Sequence, residues 1–313
     1  AVRVLALNGI INFIDFAKEM GITTFTDPSN YGLSLTLGGG EVKPADMAVA
    51  FGVFANQGIK QPLIAITKIT GWKGKGLKEV KIDEIELPGK RVLDQDVSFL
   101  ISHTLHDNNA RSAAFGEGSY LNVKNHAEVS VKTGTTNDRR DNWTIGYTEH
   151  ALVLVWVGNN DNSEMSGAVS GISGASPIWN TIMKKVLAKA ESGSYSQDEK
   201  GHTWPKQPQG VIGANVCAIS GNLPDSPESP NCATRFEYFL KDKIGAGIES
   251  GSRDIEVFKD TRQLANEEAL PEQKEVQNHP FLLDPLGTLI CLDCPIASSS
   301  AKINYPLFSE RDI

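Results

Sequence analysis

Apolar residues recur at two different spacings along this 313-residue chain, and the change of period marks out its parts. Ile10, Phe13, Ile14 and Ala17 fall at i, i+3, i+4 and i+7, which predicts a helix over the first 20 residues, stopped by Gly21. Pro44 suits the first turn of a second helix running to about Asn56, with Met47, Phe51 and Phe54 inward and Gly58 ending it. Asp94 is placed to cap a third helix over Val97, Leu100, Ile101 and Leu105. Ser176-Pro177 opens a fourth by the same cap-plus-proline logic, with Ile178, Ile182, Met183 and Val186 as its apolar positions. Elsewhere the period is two. Leu63–Thr70 and Leu77–Val80 read as a hairpin around a Gly- and Lys-rich tip. After a loop from Asp107 to Gly118, Val129 and Val131 alternate with polar residues, and Trp143–Tyr147 and Leu152–Val157 follow. The polar connections around Asn137–Asp141 and Thr148–His150 are too short for a crossover helix, so these three runs predict an antiparallel meander.

Candidate chemistry centres on the first of those three strands, at Lys132-Thr133-Gly134-Thr135-Thr136. Alternation puts Lys132 and Gly134 on one face. A glycine inside a strand often marks the close approach of another backbone or a ligand. An ammonium beside that gap, with threonine hydroxyls around it, suits an extended peptide ending in a carboxylate and added along the strand edge. The competing reading is a solvated lysine before a Gly-Thr turn, and a tripeptide alone is a weak signal. Gly38-Gly39-Gly40 is not followed by Gly-Lys-Ser/Thr, which excludes a P-loop. His103 and His106 lack a His-Glu-x-x-His pattern and read as surface residues. Trp72 and the lysines at the hairpin tip read as solvated, with a grip on acidic glycan as the alternative.

The net charge of −8 and pI near 5.3 argue against a nucleic-acid partner. No apolar run approaches the roughly 20 residues that span a bilayer. The start on Ala1, with no Met and no leader, is expected of a fragment. The length accommodates two cores. The expected division is a first domain over residues 1–192, a Ser-, Gly-, Gln-, Lys- and Pro-rich linker over 193–210, and a small β-rich domain over 211–313 in which Gln263–Gln277 is a disordered acidic loop. All four cysteines, Cys217, Cys232, Cys291 and Cys294, lie in that last part. They predict a staple, either two disulfides in any of three connectivities or a zinc site, with free thiols as the third reading. Joining Cys217 or Cys232 to the Cys291-x-x-Cys294 pair would close the longest loop.

The strings KTGTTNDRRDNWTIGYT, LVWVGNNDNSEM and SGASPIWN, with LSLTLGGGEVKPADMAVAFGVFANQG upstream, closely resemble class A penicillin-binding proteins. These are membrane-anchored peptidoglycan synthases that join a glycosyltransferase to a transpeptidase. The resemblance covers residues 1 to about 190 and continues loosely into the tail. It implies an α+β fold, an antiparallel sheet flanked by helices and missing its N-terminal strands, followed by the small β-rich domain. It implies a catalytic role for Lys132 and substrate binding by Thr133, Gly134, Thr135 and Thr136. It further implies D-Ala-D-Ala stem peptides as substrate, β-lactams as ligands of the intact enzyme, no cofactor, and a position on the extracytoplasmic side of the bacterial membrane. The membrane would be reached only through an anchor outside this chain, and the oxidising setting favours disulfides. Period two places Thr133 on the far face from Lys132, so its role calls for a twist or bulge.

The family's Ser-x-x-Lys nucleophile and Ser-x-Asn element are absent from residues 1–190, and Ser220-Gly221-Asn222 falls in the tail. AVRVLALNG resembles sequence just after the family's Ser-x-Asn. The expectation is therefore a substrate-binding strand without its nucleophile, inactive alone. The alternatives are a noncatalytic wall-binding or scaffolding module, and a carboxypeptidase or β-lactamase relative.

Overall fold

The computed structural model describes residues 1–66, 68–74, 76–79, 89–136, 139–165, 173–189, 205–218, 221–224, 232–244, 249–266, 268–283, 289–291 and 293. The chain divides into two units, 1–209 and 210–313. The expected linker lies outside the described residues up to 204.

In the first unit, helices α1 (Val2–Asn8) and α2 (Ile10–Met20) are followed by α3 (Pro44–Ala55). Helix α2 ends where glycine is needed: Gly21 has φ 119°, and its N–H closes back on Ala17 O. Ile14, Ala17 and Met20 meet Leu5, Ile22, Phe25, Leu35, Ala50 and Val53 in one core cluster. On α3 the deepest residues are the small ones, Ala50, Val53 and Ala55, whereas Met47, Phe51 and Phe54, expected inward, are only half-buried. Small side chains let α2 approach the axis of α3, and the bulky ones splay to the rim, where Phe51 meets Tyr147 edge-on at 6.2 Å.

Short strands β1 (Ile59–Lys60), β2 (Lys68–Thr70), β3 (Gly76–Glu79) and β4 (Lys90–Arg91) follow. β2 and β3 form the expected hairpin in shortened form, with Trp72 94% exposed at its tip. The Val80 end of that hairpin lies outside the described residues.

Helix α4 (Gln95–His106) corrects two expectations. Asp94 occupies the cap position, but its side chain makes no capping bond. The buried face is Ser98, Phe99 and Ser102 rather than Val97, Leu100, Ile101 and Leu105. Apolar periodicity misleads here because α4 docks on a strand through hydroxyls: Ser130 Oγ donates to Ser102 O at 2.8 Å, and Ser102 Oγ lies 3.0 Å from Tyr147 OH. The stretch read as a loop holds helix α5 (Asn108–Phe115), started by Asp107, whose carboxylate accepts from Ala110 N at 3.0 Å.

The meander is present as β5 (Ser130–Thr135), β6 (Asp141–Tyr147) and β7 (Leu152–Gly158), antiparallel in the order β5-β6-β7. Helix α6 (Ala175–Lys189) covers one face, where Trp179 and Met183 pack on Val129, Val131 and Val153. Ile178 and Ile182 stay largely exposed on the far side of α6, a stripe the periodicity had grouped with Met183. Helices α3 and α4 cover the first half of the opposite face, around Ser130, Tyr147 and Leu152. The result is the expected α+β arrangement, an antiparallel sheet between helices.

The second unit pairs β8 (Val211–Cys217) with β9 (Thr234–Leu240), and β10 (Glu249–Phe258) with β11 (Lys274–Leu283) and β12 (Leu289–Cys291). Gln263–Gln277 is not a disordered loop. Its last residues, Lys274–Gln277, are the start of β11, registered on Ile255–Phe258, and Pro271–Gln273 form a 3-10 turn. The acidic composition hid a strand whose Glu275 and Gln277 pair with the buried Val257 and Ile255 of β10, while Val276 is left exposed. Cys217 and Cys232 form a disulfide with Cα atoms 5.5 Å apart, so the bridge is local rather than a tie between the ends of the tail. Cys291 is also disulfide-bonded, which removes its thiolate from any metal site with the adjacent His279 and Asp293; Cys294 lies outside the described residues.

Candidate active-site strand

Among the described residues β5 is an outer strand, paired with β6 on one side only. The register is regular, matching Lys132 with Ile145, Thr133 with Thr144, Gly134 with Trp143 and Thr135 with Asn142. Beyond the strand, Thr136 N donates to Asp141 O at 3.1 Å. Backbone direction alternates along an antiparallel ladder. The main-chain groups of Lys132, Gly134 and Thr136 therefore face β6, and those of Thr133 and Thr135 face the outer edge.

Side chains alternate the other way, between the two faces of the sheet. Val131, Thr133 and Thr135 share the α6 face; Lys132, Gly134 and Thr136 share the opposite face, beyond the part covered by α3 and α4. Lys132 is exposed, and its ammonium folds back onto Thr133 O at 2.5 Å. Partial desolvation there lowers the pKa of Lys132 below the ordinary lysine range. Gly134 has no positive φ, and a Cβ added to it would meet Trp143 Cβ at 3.6 Å, ordinary contact. Among the described residues nothing demands a glycine there.

The neighbouring strand β6 is held on both of its faces. Thr144 Oγ1 lies 2.9 Å from Ser176 Oγ on α6, and Asn142 Oδ1 accepts from Ala175 N at 2.7 Å at the start of that helix. Asn142 Nδ2 donates to Thr135 Oγ1 at 3.4 Å. Tyr147, fully buried beneath Ser102 and Ser130, has its pKa pushed up to about 12 by desolvation.

The five residues of the motif thus separate by role. Lys132, Gly134 and the edge-facing main chain of Thr133 and Thr135 lie together. The Thr133 side chain stays on the α6 face, since the β5–β6 register carries no bulge. The Thr136 hydroxyl is engaged by Asp141: it donates to Oδ2 at 3.2 Å and accepts from Asp141 N at 2.9 Å. Sequence reading passed over Asp141, Asn142 and the serines of α4. Asp141 and Asn142 sit opposite the end of the motif in the meander, which was the available signal; the buried serines gave none.

Residues 18–184 match the family described as penicillin binding protein transpeptidase domain. The chain is similar to penicillin-binding protein 1A of Clostridium botulinum, 30% identical over 271 residues, covering 85% of this chain and 30% of that protein. It is also similar to penicillin-binding protein 1B of Vibrio cholerae, 29% identical over 153 residues, covering 48% of this chain and 18% of that protein. Among solved structures, penicillin-binding protein 1A of Haemophilus influenzae is similar with a TM-score of 0.56 and 25% identity, over 78% of this chain and 38% of that one. PonA1 of Mycobacterium tuberculosis, at 22% identity and a TM-score of 0.50 over 66% of this chain and 55% of that one, shares the fold. The chain therefore spans about a third or less of the length of the curated relatives it matches.

Proposed function

The chain belongs to the penicillin-binding protein transpeptidase family, and from that membership we propose that β5 is the strand on which a serine DD-transpeptidase of peptidoglycan synthesis lays its stem peptide. The observation that carries the reading is the β5 edge, unpaired among the described residues, with the Lys132 ammonium at Thr133 O beside a glycine that none of those residues requires. A D-Ala-D-Ala peptide would add as a further strand, its main chain bonding to Thr133 and Thr135. Its terminal carboxylate pairs with Lys132, and the missing Cβ of Gly134 permits the close approach. In the reaction a serine Oγ attacks the penultimate carbonyl while its proton passes to a base. D-Ala leaves with a proton, and the amine of a neighbouring stem peptide then takes the acyl group from the serine. A lowered lysine pKa suits Lys132 to share in that proton relay as well as to hold charge.

Residues 1–190 offer no Ser-x-x-Lys, so we assign this chain the substrate-holding strand and not the nucleophile. The setting is the extracytoplasmic face of the membrane, where the Cys217–Cys232 disulfide persists. Among the described residues no helix is long and apolar enough to cross a membrane.

NMR titration of the 313-residue chain with an N-acyl-L-Lys-D-Ala-D-Ala peptide tests the reading. Amide shifts at Thr133 and Thr135 are expected, with affinity reduced but still measurable on Lys132→Ala and with the C-terminally amidated peptide; binding indifferent to both changes overturns it. A fluorescent penicillin should leave no covalent label on this chain, and label mapped to any of its serines refutes the assignment of the nucleophile. The competing reading is a noncatalytic wall-binding module. That reading expects wall fragments to bind without preference for a D-Ala-D-Ala terminus.

A further inference from the structure

The end of β5 is closed in an unusual way. The carbonyl of Thr136, which would complete the last rung with Asp141, is taken by the turn instead: it accepts from Arg139 N at 3.2 Å, where Arg139 has φ 54°. Asp141 N is left needing another acceptor and finds the Thr136 hydroxyl at 2.9 Å. That hydroxyl donates in turn to Asp141 Oδ2 at 3.2 Å, and Thr136 N donates to Asp141 O at 3.1 Å. The other carboxylate oxygen, Oδ1, accepts from Trp156 Nε1 on β7 at 2.8 Å. One carboxylate therefore ties all three strands together, immediately beside the residues whose main chain faces the open edge.

We propose that Asp141 is a positioning residue for the peptide-addition edge, setting the direction of the Thr135 main chain through its Thr136 and Trp156 contacts. The inference rests on the function proposed above. Without the carboxylate, Thr136 loses its acceptor and Trp156 its partner, and the strand is free to fray from the turn back through Gly134, a residue with few conformational restraints. Hydrogen bonds to a charged acceptor are stronger than neutral ones, so the carboxylate matters more here than an isosteric amide would. Asp141 touches no ligand in this scheme. It acts on main-chain pairing, whereas Lys132 acts on the carboxylate of the peptide.

That division gives a signature. With the full 313-residue chain, Asp141→Ala should weaken the acid and amide forms of N-acyl-L-Lys-D-Ala-D-Ala equally, by about ten-fold, leaving the preference for the acid intact. Lys132→Ala should instead abolish that preference. Thr136→Val should behave as Asp141→Ala, and Thr136→Ser should restore binding. Amide hydrogen exchange, read on each variant without peptide, should accelerate at Gly134 and Thr136 in Asp141→Ala while Val131 keeps its wild-type rate. Asp141→Ala with wild-type affinity and exchange overturns the proposal, as does loss of the acid preference in that variant. If the wild-type chain binds no peptide, the proposed function fails. The exchange result then decides the clamp by itself, accelerated exchange supporting it and unchanged exchange refuting it.

Discussion

Replacing Gly134 with alanine separates a glycine kept for a ligand from one kept for the fold, because the same sheet supplies an internal standard. A Cβ at Gly134 meets only Trp143 Cβ at 3.6 Å and Cδ1 at 3.9 Å, and the backbone there has no positive φ. Alanine therefore fits, and the smaller entropy of its unfolded chain should leave stability unchanged or raise it by about 0.4–1 kcal/mol. At Gly146 on β6 the same atom would lie 2.2 Å from Trp179 Cζ2, 2.9 Å from Cε2 and 3.1 Å from Ser130 O. Trp179 has no room to yield, being fully buried with its indole N–H on Val153 O at 3.1 Å. Overpacking of that kind costs roughly 1–3 kcal/mol, so the two variants should differ by about 2 kcal/mol or more. With a urea dependence of about 1–3 kcal/mol per M, the difference is on the order of 1 M in midpoint. Tryptophan fluorescence is the fitting probe, since all five tryptophans lie in residues 1–209 and the second unit is silent. The binding arm completes the test: Gly134→Ala should fold normally yet bind the D-Ala-D-Ala peptide about ten-fold more weakly, through a methyl on the Lys132 face of β5. Should Gly134→Ala destabilise as much as Gly146→Ala, or bind as tightly as the wild type, the glycine is structural and the reasoning fails.

Three other outcomes are expected. The pKa of Tyr147 stands at about 12 against an ordinary 10, so the folded state holds its proton longer than the unfolded chain does. Stability should fall as pH rises from 10 to 12, by about 2.7 kcal/mol in full, and Tyr147→Phe should flatten that slope in urea titrations; an unchanged slope would refute the assignment. For Lys132 the pKa is lowered, so the unfolded chain keeps its proton to higher pH: folding should be relieved of a penalty, and affinity for the carboxylate peptide lost, as pH rises through a window below the ordinary lysine range. Peptide affinity that persists to the titration of a free lysine would contradict it. Cys217→Ser opens a 15-residue separation and should cost about 3 kcal/mol, read as faster hydrogen exchange in β8 and β9, while exchange in β5–β7 stays unchanged.

By itself, the sequence determined the elements whose chemistry is local. Period-two alternation at Val129 and Val131, with connections too short for a helix, is enough to specify β5-β6-β7 as a meander, because strand pairing across short turns leaves one topology. The same alternation placed Lys132 and Gly134 on one face. Gly21 and the Pro44 helix start were legible for the same reason, each being a backbone requirement of one or two residues. Tertiary structure alone decided which side chains face a neighbour. The buried serines of α4 look polar in sequence and are inside because distant elements satisfy them: Ser98 Oγ donates to Phe54 O on α3, and Ser102 meets Tyr147 OH of β6 and Ser130 Oγ of β5. Thr136, grouped with its motif by sequence, is bound to Asp141 because the turn at Arg139 has already taken its carbonyl. The start of β11 was hidden by its charges, since a half-exposed strand is set by the partner it registers on rather than by its own composition.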